Sequence, residues 1–165
     1  MTLTAATAAD REFLFEVYAA SRDSEMALVP WSAEQKQSFL RMQFDAQDQH
    51  YRAHYPDAQF QIIHHEGRAV GRLYVYESAA EIRIMDIALL PPWRGIGIGS
   101  SLLREILERA ASSSRFVTLH VEHHNPARRL YHRLGFRPAG DEGVYLRMQW
   151  NAEAALSGDS GAVRS

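Results

Sequence analysis

The stretch with the most chemistry per position is Arg94-Gly95-Ile96-Gly97-Ile98-Gly99-Ser100, lying between an apolar strand-like run that ends at Leu90 and a helical pattern whose first turn carries Ser100 and Ser101. Glycines without a Cβ let a backbone curl and bring its N–H groups against a ligand. The unpaired N–H groups and the dipole of a helix start then favour an anion. Three glycines at alternate positions before a helix therefore read as a cradle for a pyrophosphate. Arg94 adds a fixed positive charge that either forks onto phosphate oxygens or holds the loop's carbonyls in shape. The structural alternative, a tight turn that merely needs glycine, leaves both the arginine and the helix start unexplained.

Two other nucleotide sites compete for this loop. The Walker type needs Gly-Lys-Ser/Thr, which does not follow here. The dinucleotide type needs Gly-x-Gly-x-x-Gly with an acid near the end of the next strand. Glu122 stands where that acid would be, but the spacing is Gly-x-Gly-x-Gly and the preceding strands read as antiparallel. The eight histidines raise a metal site as well. His120-x-Glu122-x-His124 places two imidazoles and a carboxylate on one strand face, three ligands with an open position. Adjacent pairs such as His64-His65 and His123-His124 instead point to opposite faces, and no familiar zinc spacing occurs, so no metal is expected.

Arg94-x-x-Gly97-x-Gly99 resembles the Arg/Gln-x-x-Gly-x-Gly/Ala signature of the GCN5-related N-acetyltransferase (GNAT) family, in which this loop wraps the pyrophosphate of acetyl-CoA. A second block, Asn125-x-Ala127-x-x-Leu130-Tyr131-x-x-x-Gly135-Phe136, resembles the family's other signature. The resemblance implies that Arg94, Gly95, Ile96, Gly97, Ile98, Gly99 and Ser100 hold the cosubstrate. It implies that the central sheet splays where its fourth and fifth strands part, with the pantetheine arm against Ile87, Ala88 and Leu89. The N–H of Leu89 would steady the thioester oxygen as it becomes negative, and Asn125 would hydrogen-bond the arm. Tyr131 matches the family's tyrosine, which lines the arm and protonates the departing thiolate; a phenol of ordinary pKa about 10 suits that task. Each has a plainer reading too: Tyr131 packs beside Leu130 and Leu134, and Asn125 starts a helix before Pro126.

The base is left open among Glu81, Asp86, His120 and Glu122. Relatives that acetylate protein N-termini carry an acid five positions before the matching asparagine, and that place is His120 here. Histidine titrates near neutrality and suits a base, whereas Asp86 also reads as a structural group near a strand bend. The acceptor would be met by Glu25, Trp31, Phe44, Asp45, Tyr51 and the hairpin near Tyr76, a mixture of aromatic and acidic groups that suits an amine. Core packing and a solvated helix face explain the same residues. A small amine, an aminoglycoside, an amino acid and a peptide end all stay open. The resemblance thus implies an acetyl-CoA-dependent N-acetyltransferase acting by direct transfer to a primary amine. A non-catalytic acyl-CoA-binding module is the alternative, and a homodimer is compatible with the family.

The elements that must position these groups follow from periodicity. Leu3–Ala6 reads as a strand, Thr7-x-x-Asp10 and Ser32-x-x-Gln35 as capping boxes opening two helices, the second stopping at Tyr55-Pro56. Residues 60–65, 69–77 and 81–90 then read as a three-stranded meander. A helix from Gly97, a strand over Phe116–Glu122, a helix over Ala127–Leu134 and strands around Phe136 and Val144–Trp150 complete the order β-α-α-β-β-β-α-β-α-β-β. The expected class is α/β, a GNAT-like, splayed, mostly antiparallel central sheet with helices on both faces. One domain is expected over 1–150 and a flexible tail over 151–165, where aromatics give way to Ala, Gly and Ser.

Composition agrees with this class. The chain has 165 residues, 46% of them hydrophobic, with 18 Lys and Arg against 20 Asp and Glu. That near balance offers no general field for collecting nucleic acid. With no cysteine, thiol nucleophiles and thiolate metal sites are excluded. No apolar run approaches the roughly 20 residues of a bilayer span, and the first ten residues lack the pattern of a signal peptide, so a cytoplasmic protein without membrane attachment is expected.

Overall fold

The computed structural model describes residues 1–153; the tail expected over 151–165 lies, from residue 154 on, outside the described residues. Twelve helices and strands follow the anticipated order, with one addition, among those residues. Seven strands form one sheet in the order β1-β2-β3-β4-β5-β7-β6. The chain divides into two compact units, Met1–Tyr74 with Ile87–Ile96, and Val75–Asp86 with the chain from Gly97 onward.

In the first unit, β1 (Thr2–Ala5) pairs antiparallel with β2 (Gln59–His65), Thr2 opposite His64. A 3-10 turn over Ala8–Asp10, where the Asp10 carboxylate accepts the Thr7 N–H at 2.8 Å, leads into α1 (Arg11–Ser21). Leu14, Phe15, Val17 and Tyr18 recur at helical spacing and are all buried. The added element is α2 (Asp23–Met26), too short to show a period. Helix α3 (Ala33–His54) starts at the expected box: Gln35 N–H donates to Ser32 Oγ at 3.2 Å and Ser32 N–H to Gln35 Oε1 at 2.9 Å. It ends at Tyr55, just before Pro56 forbids continuation.

Phe44 on α3 is 1% exposed and meets Phe15 and Tyr18 with ring centroids 5.6 and 5.7 Å apart. It is therefore core and not part of an acceptor surface. Asp45 is likewise committed, forming an ion pair with Arg11, which also holds Asp48 at 3.1 Å. Strand β3 (Arg68–Glu77) begins in this unit and β4 (Glu81–Leu89) ends in it.

In the second unit, the start of β4 runs parallel to β5 (Phe116–Glu122), from Glu81 opposite Phe116 to Ile84 opposite Leu119. A parallel pair requires a crossover, here α4 (Ile98–Ser112), which buries Ile98, Leu102, Leu103, Ile106, Leu107 and Ala110. Glu77 receives Arg109 at 3.3 Å and Arg115 at 2.8 Å. After α5 (Ala127–Arg133) comes the hairpin of β6 (Arg137–Glu142) and β7 (Tyr145–Trp150), antiparallel, with Gly143 at φ +72° in its turn. β7 also pairs antiparallel with β5, Val117 opposite Trp150. Phe136, expected within a strand, precedes β6 and is fully buried. No helix among the described residues is long and apolar enough to cross a membrane.

Candidate active site

The predicted site residues fall into two groups, one in each unit. In the first stand Ile87, Ala88 and Leu89 at the end of β4, followed by the 3-10 turn Pro91–Trp93 and then Arg94, Gly95 and Ile96. Leu90 N–H donates to Val70 O at 2.8 Å. Arg94 Nε–H donates to Leu89 O at 2.9 Å, and its Nη2 to Ala20 O at 3.5 Å. Of the two roles open to this arginine, the structure displays the second: it holds carbonyls. Trp93 lies edge-on to His65, centroids 5.6 Å apart, and Gly95 takes φ +74°.

Gly71, in the middle of β3, was not among the candidates. A Cβ built there would stand 2.3 Å from Ala88 O and 3.1 Å from Leu89 Cα, so only glycine permits this approach of β3 to β4. The signal was present as a lone glycine inside an otherwise bulky strand pattern, which marks a bulge or a close backbone approach.

The second group begins at Gly97, at φ +94°, directly before α4. Ile98 is buried and anchors the first turn, and Ser101 N–H makes the first bond back, to Gly97 O at 3.0 Å. The N–H groups of Ile98, Gly99 and Ser100 thus precede the intrahelical ladder. No side chain caps this end and its first turn holds no acid. A Cβ on Gly99 would meet nothing within 4 Å. A helix start without cap or acid, flanked by open space, fits an anionic phosphate.

Asn125 Oδ1 accepts the Ala127 N–H at 2.9 Å, so the plainer reading of Asn125, a helix start, is present. Tyr131 on α5 is 8% exposed, its ring edge-on to Phe136 at 5.8 Å. Burial pushes its phenol up to about 12, and the negative charge of Asp86 adds to the effect. The structure therefore couples Tyr131 to Asp86, which sits beyond the last parallel pair, Ile84 with Leu119.

On β5, Val117, Leu119 and Val121 face the core, leaving Thr118, His120 and Glu122 on the other face. His120 Nε2 lies 2.5 Å from Glu142 Oε2. A carboxylate only accepts, so Nε2 is the donor of this pair. His123 Nε2 donates in the same way to Asp141 at 3.1 Å. Glu81 receives Thr118 Oγ1 and, at 3.4 Å, Arg83 Nη2, which makes it structural. Among the described residues no group of three or more His, Asp or Glu could hold a metal ion.

Of the remaining acceptor candidates, Glu25 pairs with Arg22 at 3.2 Å and Tyr51 lies edge-on to Tyr74 at 6.0 Å. Trp31 is 43% exposed, packs on Phe39 at 5.3 Å, and with Met42 lines a shallow recess on α3.

Residues 19–136 match the model of the acetyltransferase (GNAT) family. A Bacillus subtilis (strain 168) protein described as a candidate [ribosomal protein bS18]-alanine N-acetyltransferase is 28% identical over 133 residues, covering 79% of this chain and 77% of its own length. The 5-NmdU N-acetyltransferase of Pseudomonas phage PaMx11 is 33% identical over 96 residues, 54% of this chain and 67% of that one. The fold matches the PaiA N-acetyltransferase of Thermoplasma acidophilum in complex with coenzyme A, with a TM-score of 0.69 at 18% identity over 91% of this chain and 98% of the other.

Proposed function

This chain belongs to the acetyltransferase (GNAT) family, and from that premise we propose that it transfers an acetyl group from acetyl-CoA directly to a primary amine. The observation that carries the cosubstrate is the start of α4, which has neither a side-chain cap nor an acid in its first turn. Gly95 and Gly97 are required by their own positive φ, and no described residue outside this helical turn lies within 4 Å of the space a Cβ on Gly99 would take. The first N–H groups of the helix are thus open to an anion, and a small residue at position 99, glycine here, keeps them so. Coenzyme A in the Thermoplasma relative supports the same choice.

Bound acetyl-CoA supplies an electrophilic thioester carbonyl and a thiolate leaving group. Gly97, Ile98, Gly99 and Ser100 hold the pyrophosphate through backbone N–H groups, while Arg94, Gly95 and Ile96 shape the approach to it. The ends of β4 at Ile87, Ala88 and Leu89 hydrogen-bond the arm, and the Leu89 N–H donates to the carbonyl oxygen as charge develops there. His120 takes the amine proton on Nδ1, with Glu142 facing the imidazolium that results. Glu122 shares that strand face and keeps the surroundings favourable to a cationic amine.

Tyr131 faces the departing sulfur under a constraint on its acidity. A phenol at about 12 is a weaker acid than a thiol of ordinary pKa about 8.5 by roughly 3.5 units, or about 5 kcal/mol for full transfer. The phenol therefore acts as a hydrogen-bond donor that stabilises the departing sulfur while the C–S bond breaks. Both curated relatives carry names ending in N-acetyltransferase, which supports nitrogen as the acceptor atom.

The test is thermal stability with acetyl-CoA, CoA, NAD and ATP in parallel, followed by thiol release over a panel of amines including an alanyl peptide. A ligand at 100 times its Kd adds about 2.7 kcal/mol, roughly 5–11 °C for a chain of this size. The rise is expected with acetyl-CoA and CoA. A rise with NAD alone overturns the reading, and binding without turnover across the panel makes the protein a non-catalytic acyl-CoA-binding module.

A further inference from the structure

In a regular antiparallel ladder each Cβ stands off the sheet, and facing Cβ atoms are about 4.5–5.5 Å apart. A carbonyl oxygen 2.3 Å from the Cβ position of Gly71 is incompatible with that regularity. The Ala88 carbonyl oxygen occupies the space that a Cβ on Gly71 would take, the close backbone approach that a glycine inside a strand marks. Its peptide plane is shared with the next amide: in a planar trans peptide, C=O and N–H point in opposite directions. The Leu89 N–H therefore points away from Gly71.

The following peptide is held at both of its ends. Leu89 O accepts Arg94 Nε–H at 2.9 Å, and Leu90 N–H donates to Val70 O at 2.8 Å. With that plane pinned, the tilt of the Ala88–Leu89 peptide is decided by what Gly71 allows. A methyl group there would meet Ala88 O, Leu89 Cδ2 at 2.9 Å and Leu89 Cα at 3.1 Å, two of which are backbone and cannot swing aside.

We propose that Gly71 is a positioning residue for acyl transfer: by leaving its Cβ space to the Ala88 carbonyl, it sets the Ala88–Leu89 peptide plane and aims the Leu89 N–H at the donor's carbonyl oxygen. This rests on the acyl-CoA reading above. It adds a requirement that lies one strand away from the cosubstrate, on a residue that touches neither donor nor acceptor.

The test uses 15N-leucine-labelled protein with CoA and with acetyl-CoA, which differ only by the acetyl group that carries the carbonyl in question. In the parent, the Leu89 amide resonance is expected to differ between the two complexes. In Gly71→Ala that difference disappears, while CoA affinity stays within about threefold and turnover with any amine found active falls by about tenfold or more, less than the roughly 100- to 1,000-fold of an oxyanion donor removed outright because the donor is misaimed and not deleted. An unchanged acetyl-dependent difference in Gly71→Ala, or parental turnover, overturns the proposal. If no amide of the parent responds to either compound, the acyl-CoA reading itself has failed, which is a separate result. Should Gly71→Ala be too unstable to study, Leu89→Ala and the double variant Gly71→Ala/Leu89→Ala are compared with 15N-alanine. The double variant relieves the Cδ2 contact and keeps the one with Ala88 O. Loss of the acetyl-dependent difference in the double variant alone supports the positioning role, and its retention in both overturns it.

Discussion

Arg94 Nε–H donates to the carbonyl of Leu89 at 2.9 Å, across the turn that separates β4 from the glycine loop. The guanidinium thus ties together two pieces of the same half-site, and its Nη2 reaches Ala20 O near the end of α1. A lysine at this place would keep the charge and lose the rigid fork that serves both carbonyls. Arg94→Lys and Arg94→Ala are therefore both expected to weaken acetyl-CoA binding by about tenfold, near 1.4 kcal/mol, by titration calorimetry. Parental affinity in Arg94→Lys would show that charge at this position suffices.

Tyr131 carries a stability signature at high pH. Its phenol is raised in the fold to about 12, against about 10 when exposed. The unfolded chain then loses this proton first, so the stability that buried neutral Tyr131 contributes is complete below pH 10 and declines as pH rises toward 12. The shift of about two units corresponds to roughly 2–3 kcal/mol. Denaturant unfolding between pH 9 and 12 should show a smaller decline for Tyr131→Phe than for the parent. The same variant should keep acetyl-CoA affinity and lose about 100-fold in turnover; equal declines with pH would show that burial does not hold the proton.

Asp86 is the second cause of that shift, after burial. Its negative charge disfavours a tyrosinate, so Asp86→Asn should bring the Tyr131 phenol below about 12 while burial keeps it above the ordinary value of about 10. The measurement is an NMR titration of protein labelled in the tyrosine rings. An unmoved Tyr131 resonance midpoint would remove Asp86 from the account.

What was legible in the sequence divides by distance along the chain. Strand β5 was read as Phe116–Glu122 and is found so, and α3 was bracketed by Ser32 and Tyr55, because alternation, capping and the residue before proline are local rules. The glycine loop, Asn125 and Tyr131 likewise stand out locally, because their types and spacing form motifs. Phe44 was open between acceptor surface and core, because an amphipathic helix shows which residues are apolar without showing which neighbours cover them; Phe15 and Tyr18, on another helix, make it core. His120 finds Glu142 across 22 positions and Arg94 finds Ala20 across 74, choices made by tertiary pairing alone. The α2 turn, four residues long, gave no period to detect.

The glycine loop allows binding and stability to be separated by two neighbouring substitutions. Gly97 sits at φ +94°, where any side chain is strained, so Gly97→Ala should lower stability by about 1–2 kcal/mol and weaken cosubstrate binding together with it. Gly99 is helical, has open space at its Cβ position and no unusual φ. Replacing a helical glycine by alanine favours the helix by up to about 1 kcal/mol. Gly99→Ala, which the family signature allows, is therefore expected to match or exceed the parent's thermal midpoint and to keep its CoA affinity, while Gly99→Leu keeps the helix and loses at least about tenfold in CoA affinity, because the larger side chain stands where the pyrophosphate must approach the N–H groups of α4. A Gly99→Leu protein that binds CoA as the parent does would place the phosphates elsewhere, and the glycine would then have no role that the chain or its ligand requires.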